Sequence, residues 1–175
     1  HTKSLMSADV VLGYGADKVV VCTGFTWRSD GMSHVTMAAI PGVEAETPQF
    51  VTPEQVMAGK EIGNRVVVLD ADGYFTGVGL AELMADRGKK VTLVTNMSEV
   101  AEYCVFTMEV QNNKRMLYEK KVPHYRNHWV ERIEPGKIVL FYLYRHGPDL
   151  IDPVTGKLPR RESTDVVELE CDSVV

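Results

Sequence analysis

The sequence predicts an α/β fold in which a strand, a helix and a second, parallel strand form a Rossmann-type unit, followed by an antiparallel β meander. Short apolar runs, typical of strands buried on both faces of a sheet, recur at Val19–Cys22, Arg65–Leu69 and Val91–Thr95. Between the last two, Gly77–Arg87 has helical composition and stops at Gly88. Further on, Glu134-Pro135-Gly136 is a tight turn between two more apolar stretches. These three observations define the fold class.

Composition excludes several classes of protein. The 175 residues carry 19 Lys and Arg against 24 Asp and Glu, a net charge of −5, which argues against a nucleic-acid partner. A hydrophobic fraction of 45% is typical of a globular domain. The longest apolar stretch, Ile138–Tyr144, is far shorter than the roughly 20 residues that span a bilayer. We therefore expect a soluble protein without a membrane partner.

Cysteine usage points to a reducing compartment. The three cysteines, Cys22, Cys104 and Cys171, lie far apart and include no CxxC pair, so neither a disulfide scaffold nor a four-thiolate cluster is expected. No charged leader with an apolar stretch follows His1, so we expect no secretory signal. Together these features predict a cytoplasmic location and no metal site in this chain.

The first half of the chain is read in order as follows. Ala16–Gly24 is predicted as a buried strand, and Phe25–Gln49, rich in Gly, Ser, Thr and Pro, as a connection. Thr52-Pro53-Glu54-Gln55 has the pattern of a capping box with proline at the first helical position, and Gly59 can end the short helix. The strand Arg65–Leu69 then leads into the polar turn Asp70–Phe75.

In the second half, Met97–Lys121 is predicted to be helical around Lys114–Glu119. Trp129–Ile133 and Lys137–Tyr144 are predicted as a hairpin, whereas Pro123 demotes a strand at Val122–Tyr125. The sequence then predicts a loop at Gly147–Arg161. Two closing strands are predicted within Thr164–Val175, and the second begins near Ser173.

The turn after the second apolar strand stands where a dinucleotide-binding unit carries G-x-G-x-x-G. Asp70, Asp72 and Phe75 occupy the three glycine positions. Two carboxylates would repel a diphosphate at the helix N-terminus, and a phenyl ring would fill a place that suits only hydrogen. No carboxylate for the ribose follows the next strand, which ends in Thr95-Asn96. We predict a structural turn that does not bind nucleotide, although glycines at positions 73, 77 and 79 leave a shifted register open.

Other polar residues are weaker candidates. His124 and His128 are too far apart on an extended chain to share a metal. The carboxylates of Glu99, Glu102 and Glu109 are interpreted as a solvated face, and Cys104 as a core residue because no basic neighbour in sequence would activate it. Four methionines are predicted to fill core gaps: Met84, Met97, Met108 and Met116.

Longer strings carry a family resemblance. They are MSADVVLGYGADKVVVCTG at Met6–Gly24, TPEQVMAGKEIGNRVVVLDADGYF at Thr52–Phe75, AELMADRGKKVTLVT at Ala81–Thr95, and RIEPGKI at Arg132–Ile138. The chain closely resembles the C-terminal half of the trimethylamine and dimethylamine dehydrogenases, iron-sulfur flavoproteins related to histamine dehydrogenase and dienoyl-CoA reductase. The degenerate Asp-Ala-Asp turn followed by Gly73, Tyr74 and Phe75 is the most specific part of the match.

The resemblance implies a parent oxidoreductase with a TIM barrel carrying FMN and a 4Fe-4S cluster, followed by FAD-type and NAD(P)H-type domains like those of glutathione reductase, each in three layers. Residues 1–30 would end the FAD-type domain, 31–58 connect, 59–170 form the NAD(P)H-type domain, and 171–175 return to the first. In this family the FAD-type domain holds a redox-inactive ADP, and Thr23 and Gly24 match the end of its A-T-G signature, with Cys22 in place of Ala.

The function expected from the resemblance is that of a scaffold domain inside an amine dehydrogenase, with no catalytic residue and no flavin, iron or activity of its own. Its partners would be the rest of the parent chain and an electron-transferring flavoprotein. Two alternatives remain, a live NAD(P)H domain of a dienoyl-CoA reductase-like enzyme and a free-standing binding protein. Val19–Cys22 and Ser173–Val175 are expected to pair with each other or with a second copy.

Overall fold

The computed structural model describes residues 3–43, 49–144 and 166–175. Its elements, in chain order, are α1 Ala8–Leu12, β1 Met32–Ser33, β2 Ala38–Ala39, α2 Pro53–Met57, β3 Arg65–Asp70, α3 Phe75–Asp86, β4 Lys90–Thr95, a 3₁₀ helix Glu102–Thr107, α4 Val110–Glu119, β5 His124–Tyr125, β6 His128–Glu134, β7 Lys137–Tyr142, β8 Val166–Glu170 and β9 Ser173–Val174. The predicted α/β class is confirmed.

A parallel sheet with the strand order β5-β4-β3-β9 forms the centre of the molecule. The predicted strand-helix-strand unit is confirmed, because β3 and β4 pair in parallel from Arg65 beside Lys90 to Asp70 beside Thr95, and α3 connects them. Val66, Val67 and Val68 in β3 are all at most 2% exposed. A continuous valine run suits this strand because both faces of the sheet are covered.

The two faces of the sheet are covered by different elements. On one face Val66, Val68 and Leu93 pack with Leu80 and Met84 of α3, and Leu117 of α4 belongs to the same cluster. The other face packs on the antiparallel sheet β6-β7-β8 through a second cluster that includes Val67, Val94, Val174, Ile138 and Leu140. Successive side chains along β3 therefore point to opposite faces of the sheet. The domain has three layers, which are the helices, the parallel sheet and the meander.

Local signals explain several element boundaries. Thr52 and Gln55 form the predicted capping box at the start of α2. Gly136, with φ of 78°, makes the tight turn between β6 and β7. The short strand β5 lies at the edge of the parallel sheet, which agrees with Pro123 directly before it, since proline cannot donate to a neighbouring strand. The predicted helix around Lys114–Glu119 is confirmed and starts earlier, at Val110.

The predicted buried strand Ala16–Gly24 is wrong in this structure. The segment forms no strand, and Val19, Val20 and Val21 are 51%, 83% and 75% exposed. An apolar run becomes a buried strand only where other strands and a covering layer meet it, and the described residues bring none to this segment. The helix α1 and the β1-β2 hairpin, within the N-terminal third, were not predicted.

The predicted pairing of Ser173–Val175 with Val19–Cys22 is also wrong, because β9 pairs in parallel with β3. Asp172 fixes this position. Its carboxylate accepts hydrogen bonds from the backbone N–H groups of Asn64 at 3.1 Å and Arg65 at 2.8 Å, and the Arg65 guanidinium lowers its pKa to about 2. The C-terminal strand is therefore part of the central sheet, while the domain boundaries inferred from the family resemblance stay a prediction.

The predicted loop Gly147–Arg161 lies outside the described residues. Among the helices that are described, none is long and apolar enough to span a membrane.

Candidate functional site

The turn between β3 and α3 uses its own carboxylates to hold its amides. Asp70, only 1% exposed, accepts a hydrogen bond on Oδ1 from the Gly73 N–H at 3.1 Å. Asp72 Oδ1 accepts one from the Tyr74 N–H at 3.0 Å. In a dinucleotide-binding unit, backbone N–H groups of this turn and of the helix N-terminus bind the diphosphate. Here two of the turn's N–H groups donate to aspartates of the same turn.

Asp70 does not carry the full negative charge that the sequence analysis assumed for both aspartates of the turn. Burial raises its pKa to about 7, and the neighbouring Asp72 carboxylate adds to the increase. Near neutral pH, the protonated, uncharged form of Asp70 is therefore populated. Its second oxygen, Oδ2, is buried and has no partner in good hydrogen-bond geometry, but the Asp72 carboxyl and the Ala101 N–H lie close enough to the Asp70 carboxyl to influence its pKa. The charge repulsion predicted from the sequence thus rests more on Asp72 than on Asp70.

The prediction that the Phe75 ring fills the turn is wrong. Phe75 is the first residue of α3, its side chain is 62% exposed, and its ring lies against the ring of Tyr74 with centroids 5.2 Å apart. Gly77 occupies the tight position instead, since a Cβ there would lie 2.6 Å from the Cβ of Asp70. The sequence left a shifted register open because of the glycines at positions 73, 77 and 79. Of these three, Gly77 lies at the close contact between α3 and the end of β3. Sequence spacing alone could not choose between the two registers.

A cavity of about 530 Å³ opens beside this turn, between the carboxyl end of β3 and the segment 25–40. Asp70, Asp72 and Gly77 line it on one side. Aromatic side chains line much of the rest, namely Phe25, Trp27, Phe50 and Trp129. Both tryptophans of the sequence therefore face one cavity although they lie 102 positions apart (129 − 27). No sequence signal could have paired them, because their proximity depends on the packing of the meander and the N-terminal segment.

Two contacts hold the wall formed by the N-terminal segment. The Trp27 N–H donates to Glu54 Oε1 of α2 at 2.7 Å. The Arg28 guanidinium pairs with Asp30, with Nε 3.0 Å from Oδ1. Phe25 and Thr26 line the cavity, whereas Thr23 and Gly24, the predicted ADP-type signature, are exposed and do not. The structure therefore does not bring Thr23 and Gly24 together with the turn at Asp70.

The other sequence candidates lie in separate places. His124 is in the parallel sheet and His128 in the meander, where His128 Nδ1 lies 2.6 Å from the Arg126 carbonyl oxygen. Within the described ranges, no group of three or more His, Cys, Asp or Glu side chains could hold a metal ion. Cys104 is buried, and burial raises the pKa of its thiol, which agrees with the predicted core role.

Two of these interpretations need correction. Glu99 is not simply solvated, because its carboxylate pairs with Lys114 of α4 and, at 3.4 Å, with Arg126. Met108 is 88% exposed rather than part of the core, because it directly follows the 3₁₀ helix in a left-handed conformation with φ of 60°. Met84, at 1% exposure, fills the core as predicted.

The parallel sheet with helices on one face and a meander on the other defines a three-layer α/β domain. Residues 51–175 match the family described as the OYE-like second alpha/beta domain, and the chain belongs to that family.

Particular relatives agree with the resemblance found in the sequence. The chain is 37% identical over 171 residues to the dimethylamine dehydrogenase of Hyphomicrobium sp. (strain x), covering 97% of this chain and 23% of that protein. The histamine dehydrogenase of Rhizobium sp. 4-9 is 29% identical, with a TM-score of 0.72 over 98% of this chain and 24% of its own. The 6-hydroxypseudooxynicotine amine oxidase of Pseudomonas geniculata N1 is 27% identical, with a TM-score of 0.73 over 98% and 23%. The chain thus spans about a quarter of the length of these relatives.

Proposed function

We propose that this chain is a structural domain of an amine dehydrogenase-like iron-sulfur flavoprotein, in which a Rossmann-type nucleotide turn has become a fixed, non-binding scaffold. The 37% identity to a dimethylamine dehydrogenase over 171 residues supports the enzyme class. The hydrogen bonds from the Gly73 and Tyr74 N–H groups to Asp70 and Asp72 support the loss of nucleotide binding. This internal pairing is the observation that carries the proposal, because a diphosphate would need the same turn.

The 4Fe-4S cluster of the proposed parent does not fit the described residues. A cluster needs four convergent thiolates. The sequence has three cysteines, of which Cys22 is exposed and Cys104 and Cys171 are buried in different hydrophobic clusters. We therefore assign the cluster to other parts of the parent. On the family resemblance we assign the flavin there as well, and we assign no catalytic residue to this chain. Docking of an electron-transferring flavoprotein, and the ADP site near Thr23 and Gly24, stay predictions.

Calorimetric titration of NADH and NADPH into the 175-residue chain tests the scaffold role. We expect no binding at micromolar concentrations, because Asp72 places a carboxylate where the diphosphate would lie and the turn amides are already paired. The double variant Asp70→Gly and Asp72→Gly frees these amides and should bind more than the native chain does. Micromolar binding of either nucleotide to the native chain would contradict the proposal and support a live NAD(P)H domain.

A spectroscopic comparison tests the enzyme class. The purified 175-residue chain should show no flavin or iron-sulfur absorbance and should not oxidise dimethylamine. A protein expressed from the complete parent reading frame should show the flavin and iron-sulfur absorbance and should oxidise dimethylamine. A stoichiometric flavin spectrum from the short chain would overturn the assignment of the cofactors to the rest of the parent.

A further inference from the structure

The β1-β2 hairpin carries three exposed side chains with soft donor atoms. Met32 lies in β1, and His34 and Met37 are the first and last residues of the turn 34–37, which joins the paired residues Ser33 and Ala38. Met32 and Met37 are 48% and 82% exposed, and His34 is exposed as well. Two thioether sulfurs and one imidazole are therefore accessible at the tip of one hairpin.

The three residues lie close together and border the same space. Each is one position from the rung Ser33–Ala38, and paired Cα atoms in such a rung are about 4.5–5.5 Å apart. All three line the cavity of about 530 Å³ described above, whereas residues 35 and 36 of the same turn do not. The turn therefore presents its first and last residues to the cavity, and the long, flexible methionine side chains can meet His34 there.

The turn itself gives no reason for a methionine at position 37. Met37 has a φ of 52°, a left-handed conformation that favours glycine or asparagine. The turn is held by other residues, since Ser33 Oγ accepts from the Val35 N–H at 3.1 Å and Thr36 Oγ1 donates to the Ala38 carbonyl at 3.3 Å. A strained and exposed side chain that adds nothing to the core suggests a role other than folding.

Two thioethers and an imidazole select a soft metal ion. Methionine sulfur and histidine nitrogen suit Cu(I), whereas Zn²⁺ is bound by Cys, His, Asp and Glu, and Ca²⁺ and Mg²⁺ require several oxygen ligands. The charges around the cavity do not oppose a cation. Arg28 lines the cavity but is paired with Asp30, and Asp72 adds a carboxylate to the lining.

We propose that Met32, His34 and Met37 form a Cu(I) site at the β1-β2 hairpin, with two sulfur ligands and one imidazole nitrogen. The sequence analysis predicted no metal in this chain, and the clusters of His, Cys, Asp and Glu considered above leave methionine out. The ion binds as Cu(I), so no electron is transferred on binding. The site goes beyond the proposed scaffold function, since it requires neither a nucleotide nor the parent's flavin and cluster.

Titration with Ag⁺ tests the proposal, because Ag⁺ shares the ligand preferences of Cu(I) and is stable in air. The protein is the full 175-residue chain with Cys22→Ser, since the exposed thiol of Cys22 would compete for the ion, whereas Cys104 and Cys171 are buried. The readout is the NMR spectrum of the ¹³C-labelled methyl groups of the eight methionines. The variants Met32→Leu and Met37→Leu assign their signals.

We expect a single equivalent of Ag⁺ to shift the methyl signals of Met32 and Met37 and the ring signals of His34. Met32→Leu, Met37→Leu and His34→Gln should each weaken binding at least about tenfold, because each removes a ligand. The control Met57→Leu changes a methionine that is 70% exposed but outside the cavity lining, and it should leave affinity unchanged. Cu(I) without oxygen should give the same order of affinities, and Zn²⁺ should not shift the methionine signals.

Unshifted signals of Met32 or Met37 at saturating Ag⁺ would overturn the proposal, and so would undiminished affinity in any of the three ligand variants. An equal loss in Met57→Leu would show unspecific binding to exposed thioethers and would also overturn it. The variants should fold, since all the changed positions are exposed, and circular dichroism checks this. None of these outcomes depends on NADH or NADPH, so the scaffold proposal is tested independently.

Discussion

The chain contains the same three residues twice, Val19-Val20-Val21 after a lysine and Val66-Val67-Val68 after an arginine. The first copy is 51–83% exposed and forms no strand. The second lies in the centre of the parallel sheet and is at most 2% exposed. Strand propensity is the same for both, so the difference shows that neighbours decide the outcome. The second copy has β4 and β9 beside it, α3 on one face and the meander on the other.

The largest difference in stability is expected when a lysine is placed in each of the two valine runs. Val68→Lys should prevent folding, because an unpaired ammonium would replace a fully buried side chain. Val20→Lys should change the free energy of unfolding by less than about 0.5 kcal/mol, since the site is exposed. Urea denaturation followed by circular dichroism measures both. A large loss of stability in Val20→Lys would mean that the N-terminal run is buried in solution.

The second-largest effect is expected at Gly42, which lies in the chain between the two valine runs. Gly42 and Gly59 have nearly the same φ, 87° and 88°, but only at Gly42 would a Cβ meet backbone, 1.8 Å from the Ile133 carbonyl oxygen. Both alanine variants suffer left-handed strain, and Gly42→Ala should lose about 1 to 3 kcal/mol more because the segment must move off β6. Thermal unfolding of the pair measures the difference. Equal midpoints would show that Gly42 does not pack against the meander.

The buried carboxyl at the end of β3 gives a pH-dependent prediction. Because the pKa of Asp70 is about 7 in the folded state against 3.8 ordinarily, the folded chain binds the additional proton, and its contribution to the unfolding free energy falls as pH rises from about 4 to about 7. Asp70→Asn should remove this decline and be more stable than the native chain at about pH 8, by up to about 4 kcal/mol. Denaturation at several pH values tests it, with Asp17→Asn as the exposed control. An unchanged pH profile in Asp70→Asn would contradict the raised pKa.

The smallest effect concerns association rather than folding. An exposed apolar run with unpaired backbone groups is a template for contact with another copy, so we expect the native chain to self-associate at high concentration. The double variant Val20→Lys and Val21→Lys should reduce that association at unchanged stability. Sedimentation velocity measures the association of the native chain and of the double variant. A native chain that stays monomeric throughout would show that the run does not seek a strand partner.

Local patterns determined much of the architecture. The capping box of Thr52 and Gln55, the apolar runs of β3 and β4, and the Pro-Gly turn between β6 and β7 each depend on neighbouring residues, and each was predicted correctly. The family resemblance also came from the sequence alone, because similarity between strings of residues can be recognised without knowledge of their packing. From the sequence we also predict that the turn at Asp70 does not bind a diphosphate, and this stays a prediction.

Only the tertiary structure decided the rest. It placed β9 beside β3, left Val19–Val21 exposed, and moved the close helix contact from Phe75 to Gly77. It also brought Trp27 and Trp129 to one cavity with Asp70. Each of these outcomes depends on contacts between residues far apart in the chain, and such contacts leave no periodic signal in the segments that make them.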